Sequence, residues 1–252
     1  MLTKADLITS FTEIGLQAGD IVLVHSAYKS LGAVEGGPQT VIDALLDLLT
    51  PEGTLIMPTF NFDFNEGAPW DVRTTPSKMG ILTELVRLDP RAKRVFHPFY
   101  SFAIIGKYAD ELTRERYQSS YERKSVFGRL RDLDGKIMII GLDYTHSLTF
   151  VHHVEQMEGV DYRFIKGFTG QVTDENGNTS SDTFYMLVRD RDRGVITEVN
   201  PMGAVLEARG VVTVRQIGDA SVKLMKANEA YRVIAEEMKH DPFLMYQVQP
   251  KA

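Results

Sequence analysis

The sequence predicts an α/β fold: a single domain with a largely parallel central sheet flanked by helices, plus an added antiparallel hairpin. Three observations predict it. Short apolar runs alternate with amphipathic stretches through the first half of the chain, as strand–helix–strand units do. Those runs are apolar throughout, as strands covered on both faces are. At 252 residues, 43% hydrophobic and 25% charged, the chain can build one full core and is too ordinary in composition for disorder. One domain over residues 1–252 is expected, with the hairpin at about 160–190.

Thr3 with Asp6 three residues on reads as a capping box for a first amphipathic helix through Phe11 and Ile14, closed by Gly15. Asp20 to Val24 is a strand that opens into a long loop, His25 to Pro38, and a helix starts at Pro38 with Val41, Leu45, Leu48 and Leu49 on its apolar face. Gly53 to Pro58 is a second strand, followed by a Phe- and Asn-containing loop, Thr59 to Thr75. A helix follows Pro76, then an extended segment from His97 to Gly106. Lys136 to Ile140 is a buried-strand run bounded by Gly135 and Gly141, and it leads through a polar turn into a helix starting near Thr149. Phe164 to Thr173 and Thr183 to Val188 read as the hairpin around Glu175-Asn176-Gly177-Asn178. Val211 to Val214 is a last strand, and Gly218 to Lys239 reads as one long final helix with Ala220, Leu224, Ala227, Tyr231, Ile234 and Met238 on a stripe.

Composition removes several functions. A net charge of -6 disfavours nonspecific nucleic-acid binding, and no apolar run approaches the roughly 20 residues of a membrane span. The N-terminus starts a helix pattern rather than a signal peptide, so a cytoplasmic protein is expected. Zero cysteines exclude disulfides, thiolate metal sites and a cysteine nucleophile. Neither Walker-loop nor G-x-G-x-x-G spacing is present, and no G-x-S-x-G elbow.

Chemistry is expected where the strand Lys136–Ile140 runs into Thr149 to Met157. There His152 and Glu155, three apart, share a helical face, so the carboxylate can orient the imidazole and leave its other nitrogen as a base. The same spacing suits a structural pair. His153 is rotated about 100° away, so the adjacent histidines do not converge on one ion as H-E-x-x-H ligands do, and no metal is expected. The loop His25 to Pro38, with Ser26, Ser30, Gly32, Gly36 and Gly37, makes a plausible nest of N–H groups for phosphate, or an ordinary connection. Arg215 to Ala220, ahead of the expected last helix, is a weaker anion candidate that Asp219 opposes. His97 lies before Pro98 where it would line a cleft or simply pack.

Taken in order, these segments resemble the aminoglycoside 3-N-acetyltransferase family, whose α/β fold is distinct from that of the GNAT acetyltransferases. Val24-His25-Ser26-Ala27-Tyr28-Lys29-Ser30-Leu31-Gly32 with Gly36-Gly37 is similar to its V-H-S-S-x-x-S-L-G…G-G segment, Gly53-Thr54-Leu55-Ile56-Met57-Pro58-Thr59 to its G-T-L-x-M-P-T strand, and His97-Pro98 with Ser101-Phe102 to its H-P-x-x-S-F segment. Met79-Gly80, Asp134-Gly135-Lys136 and Thr149 through Glu155 resemble its M-G, D-G-K and T-x-x-H-x-x-E motifs.

The resemblance implies direct acetyl transfer from acetyl-CoA, the cosubstrate, to an amine of an aminoglycoside or amino sugar, with no metal. His152 would be the general base, Glu155 its partner, and Thr149 would sit near the thioester or merely cap the helix. His25, Ser26, Ser30, Leu31, Gly32, Val34, Gly36 and Thr59 would hold the cosubstrate. His97, Arg163 and Lys166 are expected on the acceptor side. Leu148 stands where the family's drug-modifying enzymes tend to carry Asn, and Arg163 and Lys166 suit a phosphate better than a polycation. A homodimer is compatible with the sequence. The competing readings are a catalytically silent CoA-binding protein of the same fold and a metal-dependent hydrolase.

Overall fold

A computed structural model describes residues 1–249; the end of the expected 1–252 domain lies outside them. The elements in order are α1 (Lys4–Ile14), β1 (Ile21–Ser26), α2 (Pro38–Leu49), β2 (Thr54–Pro58), β3 (Trp70–Asp71), α3 (Ile81–Leu88), β4 (Lys93–Arg94), β5 (Phe102–Gly106), α4 (Ala109–Arg114), α5 (Val126–Asp132), β6 (Lys136–Ile140), α6 (Val151–Glu158), β7 (Arg163–Thr173), β8 (Thr179–Arg189), β9 (Val195–Thr197), α7 (Asn200–Ala208), β10 (Val212–Ile217), β11 (Ala220–Lys226), α8 (Ala227–His240) and β12 (Tyr246–Val248). Among the described residues no helix is long and apolar enough to cross a membrane.

The main sheet has the order β10-β11-β6-β1-β2-β5-β4. Its three inner strands, β6, β1 and β2, are parallel, and the ladders outside them are antiparallel. Both faces are covered, which is why the inner strands carry no polar alternation. Val22, Val24, Leu55, Met57, Met138 and Ile140 point to one face and meet Leu7, Phe11, Val41, Leu45, Leu82 and Val86 of α1, α2 and α3. Leu23, Ile56, Ile137 and Ile139 point to the other, against Phe127, Leu130, Val151, Val154, Met202, Ile234 and Met238 of α5 to α8. The Thr3–Asp6 capping box and the left-handed Gly15 cap both form. The expected hairpin is β7–β8, and its loop is anchored by Asp174, whose carboxylate accepts the N–H groups of Asn176 and Asn178. It forms a separate small sheet with β3.

Two expectations are corrected. The single helix Gly218–Lys239 is instead a two-residue turn, strand β11 and helix α8. Ile217 pairs with Ala220, leaving Gly218 and Asp219 as the turn, with Gly218 at φ 56. Ala220 and Leu224 are four apart, a spacing that fits one face of a strand as well as one stripe of a helix, and Val222 between them is also buried. With no helix starting at Arg215–Ala220, the anion candidate there falls too. The extended segment from His97 is the second correction: regular pairing begins only at Phe102, because His97 to Ser101 turn back on the His97 ring.

Candidate acid–base site and its groove

Helix α6 places the site. It follows directly from the turn after β6, starts at Val151, and is closed by Gly159 in the left-handed region, whose N–H returns to the Glu155 carbonyl. His152 and Glu155 stand one turn apart on it, and His152 Nδ1 lies 2.5 Å from Glu155 Oε2. Glu155 is fully buried. Its other oxygen accepts the Tyr162 hydroxyl at 3.0 Å. Arg163 Nε comes within 2.7 Å of Oε2 but off the hydrogen-bond direction, an ionic contact, while its Nη2 donates to Thr197 Oγ1 at 2.8 Å. Tyr162 and Arg163 are where β7 begins, so the β7–β8 hairpin is tied to His152 through this carboxylate.

Burial would raise the Glu155 pKa, but His152 and Arg163 outweigh it and hold the carboxyl below its usual range. Glu155 is an anion, so Nδ1–H of His152 donates to it and Nε2 carries the lone pair. Burial and the Arg163 cation push the His152 pKa down against the pull of Glu155, which keeps the imidazole neutral at neutral pH. The His152 side chain is 17% exposed, enough for one edge to reach the groove. That groove, about 650 Å³, is lined by Tyr100, His152, Phe62, Phe164, Phe168 and the charged residues Arg163, Lys166, Arg189, Asp190, Arg191 and Asp192. Tyr121 packs edge-on against the imidazole at 5.4 Å between ring centroids.

The remaining expected residues fall in different places. Thr149 is half-buried at the entry to α6; its carbonyl accepts the His152 N–H and its hydroxyl turns to the Ser147 carbonyl, so it does not cap the helix. In the first loop, Gly32, Gly36 and Gly37 have φ of 78, 73 and 75, the left-handed region that forms a nest. The amides of Ala33, Val34 and Gly36 have no hydrogen-bond partner among the described residues. Ser26 and Ser30 border this loop and are half-buried, with the Ser30 hydroxyl closing on the Ala27 carbonyl.

The other expected residues sit as follows. The His25, Leu31 and Thr59 side chains are buried, and Thr59 donates its hydroxyl to Ser101, so any contact these three make with a cosubstrate is left to their backbone groups. Val34 is buried as well and would act only through its amide. His97 is not in the groove at all. It is fully buried, Nδ1 accepts the Phe99 and Tyr100 amides, and Nε2 meets the Gln118 carbonyl and Ser120 hydroxyl. Arg163 lines the groove and is engaged with Glu155, while Lys166, also on the groove, makes no ion pair among the described residues. His153 binds the Tyr121 carbonyl and faces the core, away from its neighbour. Glu198 accepts the Thr145 hydroxyl and the Asn200 N–H. Arg189, Asp190, Arg191 and Asp192 were missed, because the long-range β7–β8 pairing carries them into the groove with His152, and Tyr162 because its bond to Glu155 needs the turn after α6.

A carboxylate-backed imidazole thus opens on a groove, in a chain that contains no cysteine. The chain belongs to the aminoglycoside 3-N-acetyltransferase family, whose profile matches residues 23–239. It is an acetyltransferase of the non-GNAT type. It is 28% identical over 251 residues to the SPbeta prophage-derived aminoglycoside N(3')-acetyltransferase-like protein YokD of Bacillus subtilis (strain 168), covering 90% of this chain and 89% of that one. Aminoglycoside N(3)-acetyltransferase IV of Salmonella sp. is 32% identical over 162 residues, 63% of this chain and 60% of that one. The same fold recurs in AAC-IIIb, solved as a binary complex with CoASH, at a TM-score of 0.84 and 21% identity over 99% of both chains.

Proposed function

We propose that the protein transfers an acetyl group from acetyl-CoA directly to an amine of an aminoglycoside or related amino sugar, with His152 as general base. The observation that carries this reading is the His152–Glu155 pair: a buried, ionised carboxylate 2.5 Å from Nδ1, with Nε2 left for the groove. An alkylammonium has no lone pair to attack with. Its first proton is released to solvent; as the neutral amine nitrogen forms its bond to the acetyl carbonyl carbon, His152 Nε2 takes a second proton from it, the carbon–sulfur bond breaks, and that second proton passes to the leaving thiolate. No acyl-enzyme is required. Glu155 stabilises the imidazolium formed in between, and Arg163 with Tyr162 keeps Glu155 in place.

The first loop supports the cosubstrate side. Its left-handed glycines and the free amides of Ala33, Val34 and Gly36 suit the phosphates of CoA, which supplies the thioester. On this reading Thr149, whose carbonyl accepts the His152 N–H, lies on the thioester side.

The test is release of free thiol from acetyl-CoA with a panel of amines; the cysteine-free protein adds no thiol of its own. His152→Ala should bind CoA with unchanged affinity by calorimetry and lose about 10²- to 10⁴-fold in kcat. Full turnover in that variant would sink the general-base assignment.

A further inference from the structure

The groove that receives His152 holds more positive charge than its own carboxylates neutralise. Four cations line it, Arg163, Lys166, Arg189 and Arg191, against Asp190 and Asp192. Arg163 is matched by Glu155. The other three take part in no ion pair among the described residues, although most lysines and arginines elsewhere do, including neighbouring Arg193 with Asp161. Asp190 is partly engaged, since its carboxylate accepts the Arg193 N–H at 3.0 Å in the turn after β8.

Arg189 is the sharpest case. Across the β7–β8 ladder its direct partner is Arg163, and like charges facing each other in a ladder are unfavourable. Glu155 answers for one of the two. Arg189 is half-buried, its guanidinium makes no hydrogen bond to the described residues, and burial together with Arg191 and Arg163 lowers its pKa. A partly desolvated guanidinium with an unused fork of donors is matched by phosphate or carboxylate oxygens, which it grips through two parallel hydrogen bonds. Rings for the rest of a ligand are at hand. Phe62, Phe164 and Phe168 line the same groove, Phe164 is 50% exposed, and Lys166 Nζ stands 5.2 Å from the centroid of Phe168. Asp192, on the exposed turn beside Arg191, remains for an ammonium.

We propose that the acceptor is an amine that also carries an anionic group, a phosphate held by Arg189 with Arg191, so that the molecule delivered to His152 is not a bare polycation. This rests on the acetyltransferase reading above and names the acceptor class for it. No residue of the first loop lines the groove, so this anion subsite is separate from the amides offered to CoA.

Glucosamine phosphate, glucosamine, glucosamine carrying a carboxylate in place of the phosphate, and kanamycin form the test set. Each is measured for equilibrium binding by calorimetry and for acetyl transfer, with wild type, Arg189→Glu and Arg189→Gln. The expected result is binding of glucosamine phosphate at least about tenfold tighter than of glucosamine, weakened by added salt. Arg189→Glu should remove that preference and raise relative affinity for kanamycin, with Arg189→Gln between the two. Carboxylate binding equal to phosphate binding would support the anion subsite and broaden its ligand. Wild-type preference for kanamycin, or a phosphate preference unmoved by Arg189→Glu, overturns the proposal. So does a rise in the acetyl-CoA KM with acceptor binding unchanged, which would assign the cations to the cosubstrate. Anion-dependent binding without acetyl transfer would instead retain the subsite and remove the acetyltransferase reading on which it was placed.

Discussion

At His152, two opposing charges set one proton. Glu155 raises its pKa and Arg163 lowers it, with burial on the side of Arg163. A base must be neutral to act, so kcat/KM should fall as pH drops through the His152 pKa, on an acid limb below the ordinary value of about 6.5. Removing either neighbour moves that limb in opposite directions. Glu155→Gln takes away the pull that favours the imidazolium, so the limb should move to lower pH, while kcat drops about 10²- to 10⁴-fold because the imidazole loses its orienting acceptor. Arg163→Met removes the repulsion, so the limb should move to higher pH. Both variants leave a buried charge without its partner and should cost roughly 3–5 kcal/mol of stability. The pH–rate profiles of the three proteins decide the matter: limbs that coincide would mean that Arg163 and Glu155 hold the fold together without tuning the base.

At the scale of elements, the joint between β6 and the first loop carries both halves of the proposed chemistry. Gly141 ends β6 at φ 67, and a Cβ there would stand 1.6 Å from Ser30 Oγ. Gly141→Ala should therefore cost roughly 1–3 kcal/mol in thermal or denaturant unfolding and weaken CoA binding by displacing the Ser30 turn. Unchanged CoA affinity would show that the loop does not take its shape from β6. This is also the scale at which the sequence was most readable and then misleading. Helix α1 was legible because the Thr3–Asp6 box and Gly15 are local signals, and His152 with Glu155 because one helical turn joins them. Strand β11 was not, since Ala220 and Leu224 satisfy two periodicities and only pairing with β6 and β10 selects one. Arg163 was read as facing the acceptor and does line the groove, but nothing in the sequence says that β7 begins against α6, where Arg163 also meets Glu155. His97 looked available because a lone imidazole before a proline reveals nothing of the four groups that surround it.

For the whole molecule, three histidines that take no part in the proposed chemistry set its response to acid. His25 and His97 are buried with pKa values lowered to about 4 and about 3, and His153 is lowered to about 4, in each case chiefly by burial. His97 shows why the neutral form is required: Nδ1 must accept two backbone N–H groups, so it has no room for a proton. The unfolded chain protonates these rings near pH 6.5. Below that pH the unfolded state binds more protons than the folded one, so their contribution is complete above about 6.5 and is lost as pH falls toward the folded values. Near pH 5 the loss is about 2 kcal/mol per histidine, a large share of the roughly 5–15 kcal/mol that holds a typical domain together when three act at once. Paired carboxylates with lowered pKa values, such as Glu84 and Asp89, act in the same direction but only below their unfolded values near 4. Denaturant unfolding measured between pH 7.5 and 5 should thus show a steep decline that begins well above the carboxylate range. His97→Asn keeps an oxygen where Nδ1 stood and cannot titrate, so it should lower stability at neutral pH while reducing the pH slope by about one third, the share of one ring among three. A wild-type curve flat over that interval, or an unchanged slope in the variant, would show that these buried rings do not govern acid stability.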